Sequence, residues 1–311
     1  MQKSDLINCH KRIIPYIHRT PVLTSQTLNK LSGADVYFKC ENFQKIGAFK
    51  MRGAANAVLQ IPEDKRKYGV VTHSSGNFAQ ALSLAAQGLG IKAYIVMPSN
   101  ATAVKKEAVK GYGGEIIESE STLAARESAA KHIVESKGAT FIHPSDNMEV
   151  IIGQATACME LLEEQPDLDC VFAPVGGGGL IAGTALAAHF FSEKCKTFGG
   201  EPMVADDAYR SFISGKIENN RSADTIADGL KSYLGDINFP IIKQHVEGII
   251  RVTEDEIIEA MKLIWERMKI IVEPSSAVAF AALLKEKEKF KNKKVGIILS
   301  GGNIDLSELP F

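Results

Sequence analysis

Apolar and polar positions along this chain alternate with two different periods, and the switches between them outline the fold. Short β-branched or aromatic runs occur at 35–41 (DVYFKCE), 68–74 (YGVVTHS), 91–98 (IKAYIVMP), 115–119 (EIIES), 139–144 (ATFIHP), 170–175 (CVFAPV), 196–201 (KTFGGE) and 293–300 (KKVGIILS). Each has the length and composition of a strand. Between them lie Ala/Leu-rich or two-faced segments at helical spacing: 49–61, 77–90, 103–114, 122–138, 149–165, 179–191, 254–269 and 275–290. Strands that alternate with crossover helices predict an α/β chain with open, twisted, mostly parallel sheets and helices on both faces. The polar, glycine-interrupted stretch 205–232 reads as loop with short helices. No Gly/Ser or Pro linker divides the chain, which predicts one domain inserted in another.

Composition narrows the class. The 311 residues are 45% hydrophobic and 23% charged, an ordinary globular balance. Lys plus Arg (36) nearly cancels Asp plus Glu (37), leaving a net charge of -1 and no polyanion-binding character. Neither a nucleic-acid nor a membrane partner is expected. Five scattered cysteines without a CxxC pair suit free thiols in a reducing compartment. The run from Cys170 to Ser192 carries no charge, but Pro174 and four glycines in it argue for buried strand, loop and helix rather than a membrane span. With no visible leader, a cytoplasmic location is expected.

Two segments share a plan of strand, small-residue loop and Ala-rich helix: 70–87 and 171–189. Each offers free backbone N–H groups and the positive end of a helix to an anion. In the second, Gly176, Gly177, Gly178 and Gly179 remove every Cβ, so several amides can converge on a phosphate. Gly177, Gly179 and Ala182 also fit a loose dinucleotide fingerprint, with Glu201 as a ribose-binding acid, which keeps an NAD-dependent oxidoreductase as an alternative. Lys50, flanked by Phe49 and small residues at a loop-to-helix junction, is a candidate desolvated amine nucleophile. A nucleophilic lysine together with a phosphate loop suggests a Schiff base with pyridoxal phosphate. Ser74-Ser75-Gly76-Asn77 at a helix start can hold a carboxylate or ring oxygen, and Ser300-Gly301-Gly302-Asn303 follows the last strand, where α/β sheets place ligands.

These motifs, with Glu273-Pro274 and the run Phe49 to Ala54, resemble serine racemase and the serine/threonine dehydratases, pyridoxal-phosphate enzymes of the tryptophan-synthase-β fold type (fold type II). The resemblance covers essentially the whole chain. It implies a large domain of residues 1–65 and 148–311 and a small domain of 66–147 that closes over an amino-acid substrate. It implies Lys50 as the Schiff-base lysine and proton carrier, with Ser75 as a second acid/base. Phe49 would pack on the ring, Asn77 would bond the ring hydroxyl, Gly176–Gly179 would hold the phosphate and Ser300 would face the pyridine nitrogen. Ser74, Ser75, Gly76, Asn77 and Arg126 would bind substrate. Glu201, Asp207 and the Ala205 carbonyl resemble a site for Mg²⁺, Ca²⁺ or Mn²⁺. The implied chemistry is dehydration or racemisation of serine and related β-hydroxy amino acids such as threonine, with 3-hydroxyaspartate dehydration as the alternative substrate class. A non-catalytic amino-acid sensor is the remaining rival. A homodimer and a nucleotide effector enter through the resemblance alone. Phe78 stands where the family usually has histidine, so a polar contact there is lost or replaced. The chain ends just past its last strand, which argues against a feedback-regulatory extension.

Overall fold

The computed structural model describes Met1 to Phe311, the side chain of Glu308 excepted. The chain begins with α1 (Lys3–Ile13), β1 (Val22–Leu23), α2 (Gln26–Ser32), β2 (Asp35–Cys40), α3 (Lys50–Leu59) and α4 (Glu63–Arg66). It continues through β3 (Val70–His73), α5 (Asn77–Gln87), β4 (Ala93–Pro98), α6 (Ala103–Gly111), β5 (Gly114–Ser119), α7 (Leu123–Lys137) and β6 (Thr140–Phe141). Then come α8 (Met148–Glu164), β7 (Cys170–Pro174), α9 (Gly179–Phe191), β8 (Lys196–Pro202), α10 (Asp207–Ser214), α11 (Asn238–His245) and β9 (Val246–Val252). The last elements are α12 (Glu254–Met268), α13 (Pro274–Lys285) and β10 (Lys294–Leu299).

Two sheets result. The larger runs β1-β2-β10-β7-β8-β9 and is parallel except for the edge strand β1. The smaller runs β5-β4-β3-β6 and is parallel throughout. Parallel strands are covered on both faces, so β7 is buried at every position. Its side chains alternate: Cys170 and Phe172 face the layer of α12 and α13, while Val171 and Ala173 face α8 and α9. In the small sheet, Ile95 and Met97 pack toward α3 and α5, and Val96 packs toward α7.

Helix ends follow local chemistry. The Thr122 hydroxyl caps α7 at the Ala125 N–H, and Gly138 closes it in the left-handed region. Thr253 and Glu256 form a reciprocal capping box at the start of α12. Between the two sheets, α3 and α8 touch backbone to backbone. A Cβ on Gly53 would lie 2.8 Å from Val150 O, and one on Gly153 would lie 2.5 Å from Arg52 O.

Below that contact lies a buried ionic network. The fully buried Arg52 donates to Glu41 (2.7 and 2.9 Å) and to both Glu160 oxygens (2.8 Å each). Lys39 donates to Glu160 (2.7 Å), and His10 pairs with Glu160 at 2.9 Å. Burial alone would raise the Glu160 pKa, but its bonds to His10 and Arg52 hold the carboxyl well below the usual range. This network ties α1, β2, α3 and α8 together and fixes the helix that carries Lys50. No helix among the described residues is long and apolar enough to cross a membrane.

Candidate active site

The chemistry-bearing residues gather beyond the carboxyl ends of β3, β7 and β10, where parallel sheets place their ligands. Lys50 opens α3. Phe49 donates its N–H to Ser300 O at 3.0 Å, and Ala48 bridges Gly301, so the lysine is pinned to the loop after β10. Lys50 Nζ donates to Pro144 O at 2.8 Å and lies 5.0 Å from the Phe49 ring centroid and 5.6 Å from that of Phe78. Burial lowers its pKa to about 8, and the charge of Glu273 works in the opposite direction. Phe78 is therefore a core residue of α5 that also walls the amine. The polar contact expected from a histidine there is replaced by an apolar face.

Ser74, Ser75 and Gly76 form the turn between β3 and α5, and Asn77 is the first helical residue. All four are half-buried. Asn77 Nδ2 donates to both Glu273 oxygens (3.1 and 3.2 Å), and Asn77 Oδ1 accepts from Asn303 Nδ2 at 2.9 Å. The small-sheet turn thus meets the loops before α13 and after β10.

The glycine loop joins β7 to α9. A Cβ on Gly177 would lie 2.5 Å from Ser145 Oγ, one on Gly178 2.5 Å from Asn238 Oδ1, and one on Gly179 2.7 Å from Gln154 Oε1. Gly178 has φ +82°, a conformation that favours glycine. Asn238 Nδ2 holds Gly177 O at 2.9 Å. The loop therefore has room for bare backbone only, and it leads into the N-terminus of a 13-residue helix. Ser145 sits beside it and follows Pro144, the acceptor for Lys50, so amine and cradle belong to one site. Gln154 is fully buried behind Gly179 with neither polar side-chain atom partnered. The bare cradle, the helix dipole and the depressed amine fit a phosphorylated aldehyde.

Sequence reasoning missed Gln154, His143 and the role of Glu273. His143 Nδ1 accepts the N–H groups of Ser145 (3.2 Å) and Asp146 (2.8 Å). Burial, then His73 and Lys50, lower its pKa to about 4, which keeps it a neutral acceptor that shapes the segment holding Lys50. A histidine two residues after a short strand gives no periodic signal.

Ser300 is buried at the end of β10, beside Phe49. Arg126 lies in the first turn of α7, where its charge is felt at His73. Among the described residues it makes no hydrogen bond to the Ser74–Asn77 turn. Glu201 lies near the end of β8, and its carboxylate accepts the N–H groups of Ala208 and Tyr209 (2.8 Å each) at the start of α10. Asp207 is 1% exposed, and neither carboxylate oxygen has a partner. Burial raises its pKa to about 7. Among the described residues no three His, Cys, Asp or Glu side chains converge. An orphaned buried carboxylate beside Glu201 and Ala205 nevertheless fits a hard cation completed by main-chain carbonyl and water.

Fold and site together define a pyridoxal-phosphate enzyme with two mostly parallel sheets. Residues 13–301 match the family described as Pyridoxal-phosphate dependent enzyme, and the chain belongs to that family. A serine racemase of Dictyostelium discoideum is 52% identical over 309 residues, which cover 98% of this chain and 95% of the relative. A beta-hydroxyaspartate dehydratase of Paracoccus denitrificans (strain Pd 1222) is 46% identical over 307 residues, 99% of this chain and 98% of the relative. The crystal structure of a threonine deaminase from T.th. superposes with TM-score 0.93 at 40% identity, covering 98% of this chain and 99% of that one. The dinucleotide alternative drawn from Gly177, Gly179 and Ala182 is set aside by this family membership.

Proposed function

We propose that this chain catalyses ammonia-releasing dehydration, racemisation, or both, of serine and related β-hydroxy amino acids, in a reducing compartment and as a homodimer. The observation that carries the reading is the Lys50 amine, its pKa lowered to about 8, held between two aromatic rings beside a glycine cradle. The named activities of the relatives support the substrate class. The five free, buried cysteines support the compartment.

When bound, pyridoxal phosphate supplies an electron sink for the charge left as the substrate Cα loses its proton. The chain supplies the rest. The amides of Gly176–Gly179 hold the phosphate. Phe49 and Phe78 wall the half-buried amine with apolar faces. Burial depresses the Lys50 pKa, which makes the neutral amine available to bind covalently and to take the Cα proton. Asn77 would bond the ring hydroxyl, and Ser300 would face the ring nitrogen. A serine hydroxyl there is a weaker charge partner than a carboxylate, which favours elimination of a β-leaving group. Ser74, Ser75, Gly76 and Asn77 would receive the substrate carboxylate, with Arg126 approaching as residues 66–147 close on the rest. Inversion at Cα removes a proton on one face and returns one on the other, so it needs an acid/base group on each face, and Lys50 and Ser75 are the proposed pair; dehydration needs only one. Glu201, Asp207 and the Ala205 carbonyl would hold Mg²⁺ or a similar cation that sets the loop before α10.

The test is release of ammonia and keto acid from L-serine, L-threonine and 3-hydroxyaspartate, with D-serine measured alongside, in wild type and Ser75→Ala. Loss of D-serine formation with dehydration retained supports the pair. Absence of turnover on every substrate overturns the proposed function.

A further inference from the structure

Glu273 has no task in the mechanism above, yet it is built into the site. It precedes α13, whose first residue is Pro274, and it is 4% exposed. Its main-chain N–H donates to Gly301 O at 3.0 Å, which clamps it to the loop of Ser300. Its two carboxylate oxygens share the Asn77 Nδ2 donor. On the other side, Asn303 Nδ2 donates both to Asn77 Oδ1 (2.9 Å) and to Ile46 O (2.7 Å).

These contacts leave the Asn77 amide one orientation. If it were flipped, its oxygen would face a carboxylate and its nitrogen would face another amide nitrogen. A primary amide has two hydrogens, and Glu273 takes one, so a second remains for a ligand. The charged groups around Glu273 are Lys50 at the start of α3 and Asp228, itself paired with Lys105 of α6 at 3.0 Å. Burial lifts the Glu273 pKa to about 7, and the Asn77 bond opposes the rise.

We propose that Glu273 is a positioning residue: it locks Asn77 with an N–H toward the cofactor's ring hydroxyl, and the lock tightens when Glu273 ionises. A carboxylate accepts an amide N–H more strongly than a carboxylic acid does. Ionisation therefore changes how strongly Asn77 polarises the ring, and the visible absorbance of bound cofactor reports ring-hydroxyl protonation. This inference rests on the proposed cofactor site.

The experiment loads wild type and Glu273→Gln with pyridoxal phosphate. Visible absorbance is then titrated over about one and a half units on either side of pH 7. Wild type is expected to show a transition near 7. Glu273→Gln is expected to bind cofactor, show no transition in that range, and lose roughly tenfold in kcat with KM little changed. Asn77→Ala keeps the carboxyl but severs its link to the ring, so it must also lose the transition; it stands in should Glu273→Gln fail to fold. A transition at the same pH in either variant, or a flat wild-type titration, overturns the inference alone. A wild type that takes up no cofactor overturns the site on which it rests.

Discussion

Replacing Arg52 by methionine tests whether the buried ionic network holds in place the helix that opens at Lys50. Arg52 is fully buried and donates to Glu41, Glu160 and Thr156 Oγ1 (3.2 Å). With Lys39 it neutralises the two carboxylates, both of which are also fully buried. Methionine fills much of the volume but leaves two buried anions facing one lysine. Removing one partner of a buried pair costs about 3–5 kcal/mol, mainly because the remaining charge is stranded. At about 2 °C per kcal/mol for a chain of this size, the melting temperature should fall by roughly 6–10 °C. Denaturant unfolding of the apo-chain gives the free energy directly. Adding Glu41→Gln restores charge balance, so the double variant should be more stable than the sum of the singles by at least about 1 kcal/mol. A loss below about 1 kcal/mol for Arg52→Met, or strict additivity in the double variant, would refute the account of this network.

Three further outcomes are expected. Covalent loading of the apo-chain with pyridoxal phosphate should speed up about tenfold from pH 7 to pH 9, because the neutral fraction of a lysine with pKa about 8 grows by that factor; stopped-flow absorbance reads this, and a flat profile contradicts the depressed amine. Gly178→Ala puts a side chain at φ +82° and 2.5 Å from Asn238 Oδ1, so cofactor affinity measured by fluorescence should drop at least about tenfold. Mg²⁺ or Ca²⁺ should raise the wild-type melting temperature and leave that of Asp207→Asn unmoved, since the orphaned carboxylate is the group a cation would satisfy; an equal rise in both removes Asp207 from the metal site.

The parts of the fold that are legible in sequence are those where burial imposes a plain period. CVFAPV and KKVGIILS form β7 and β10 because strands buried on both faces are continuously apolar. KTFGGE is an interior strand, β8, although its glycines obscure the pattern: Gly199 and Gly200 admit Val175 and the α13 backbone at close range. The edge strands β1 and β9 carry no such signal. β1 is two residues long, and β9 (VEGIIRV) exposes polar positions irregularly. Helix α11 has Pro240 near its start and lacks a readable period for the same reason. The stretch 205–232 reads as loop with short helices, and α10 with a 3₁₀ turn is what forms there. In the site, Lys50 and the glycine loop are visible because their local chemistry is unusual. The Arg52 network and the Glu273–Asn77 contact are not. Their partners lie 108 and 196 positions apart, and a charged residue in a helix ordinarily signals solvent.

The Lys50 amine is the proposed point of covalent attachment for pyridoxal phosphate. Borohydride reduction of the loaded chain, followed by proteolysis and mass spectrometry, locates that attachment. A single pyridoxyl adduct is expected on Lys50, absent from Lys50→Ala. An adduct on another lysine, or an unmodified Lys50 in a fully loaded chain, would contradict it.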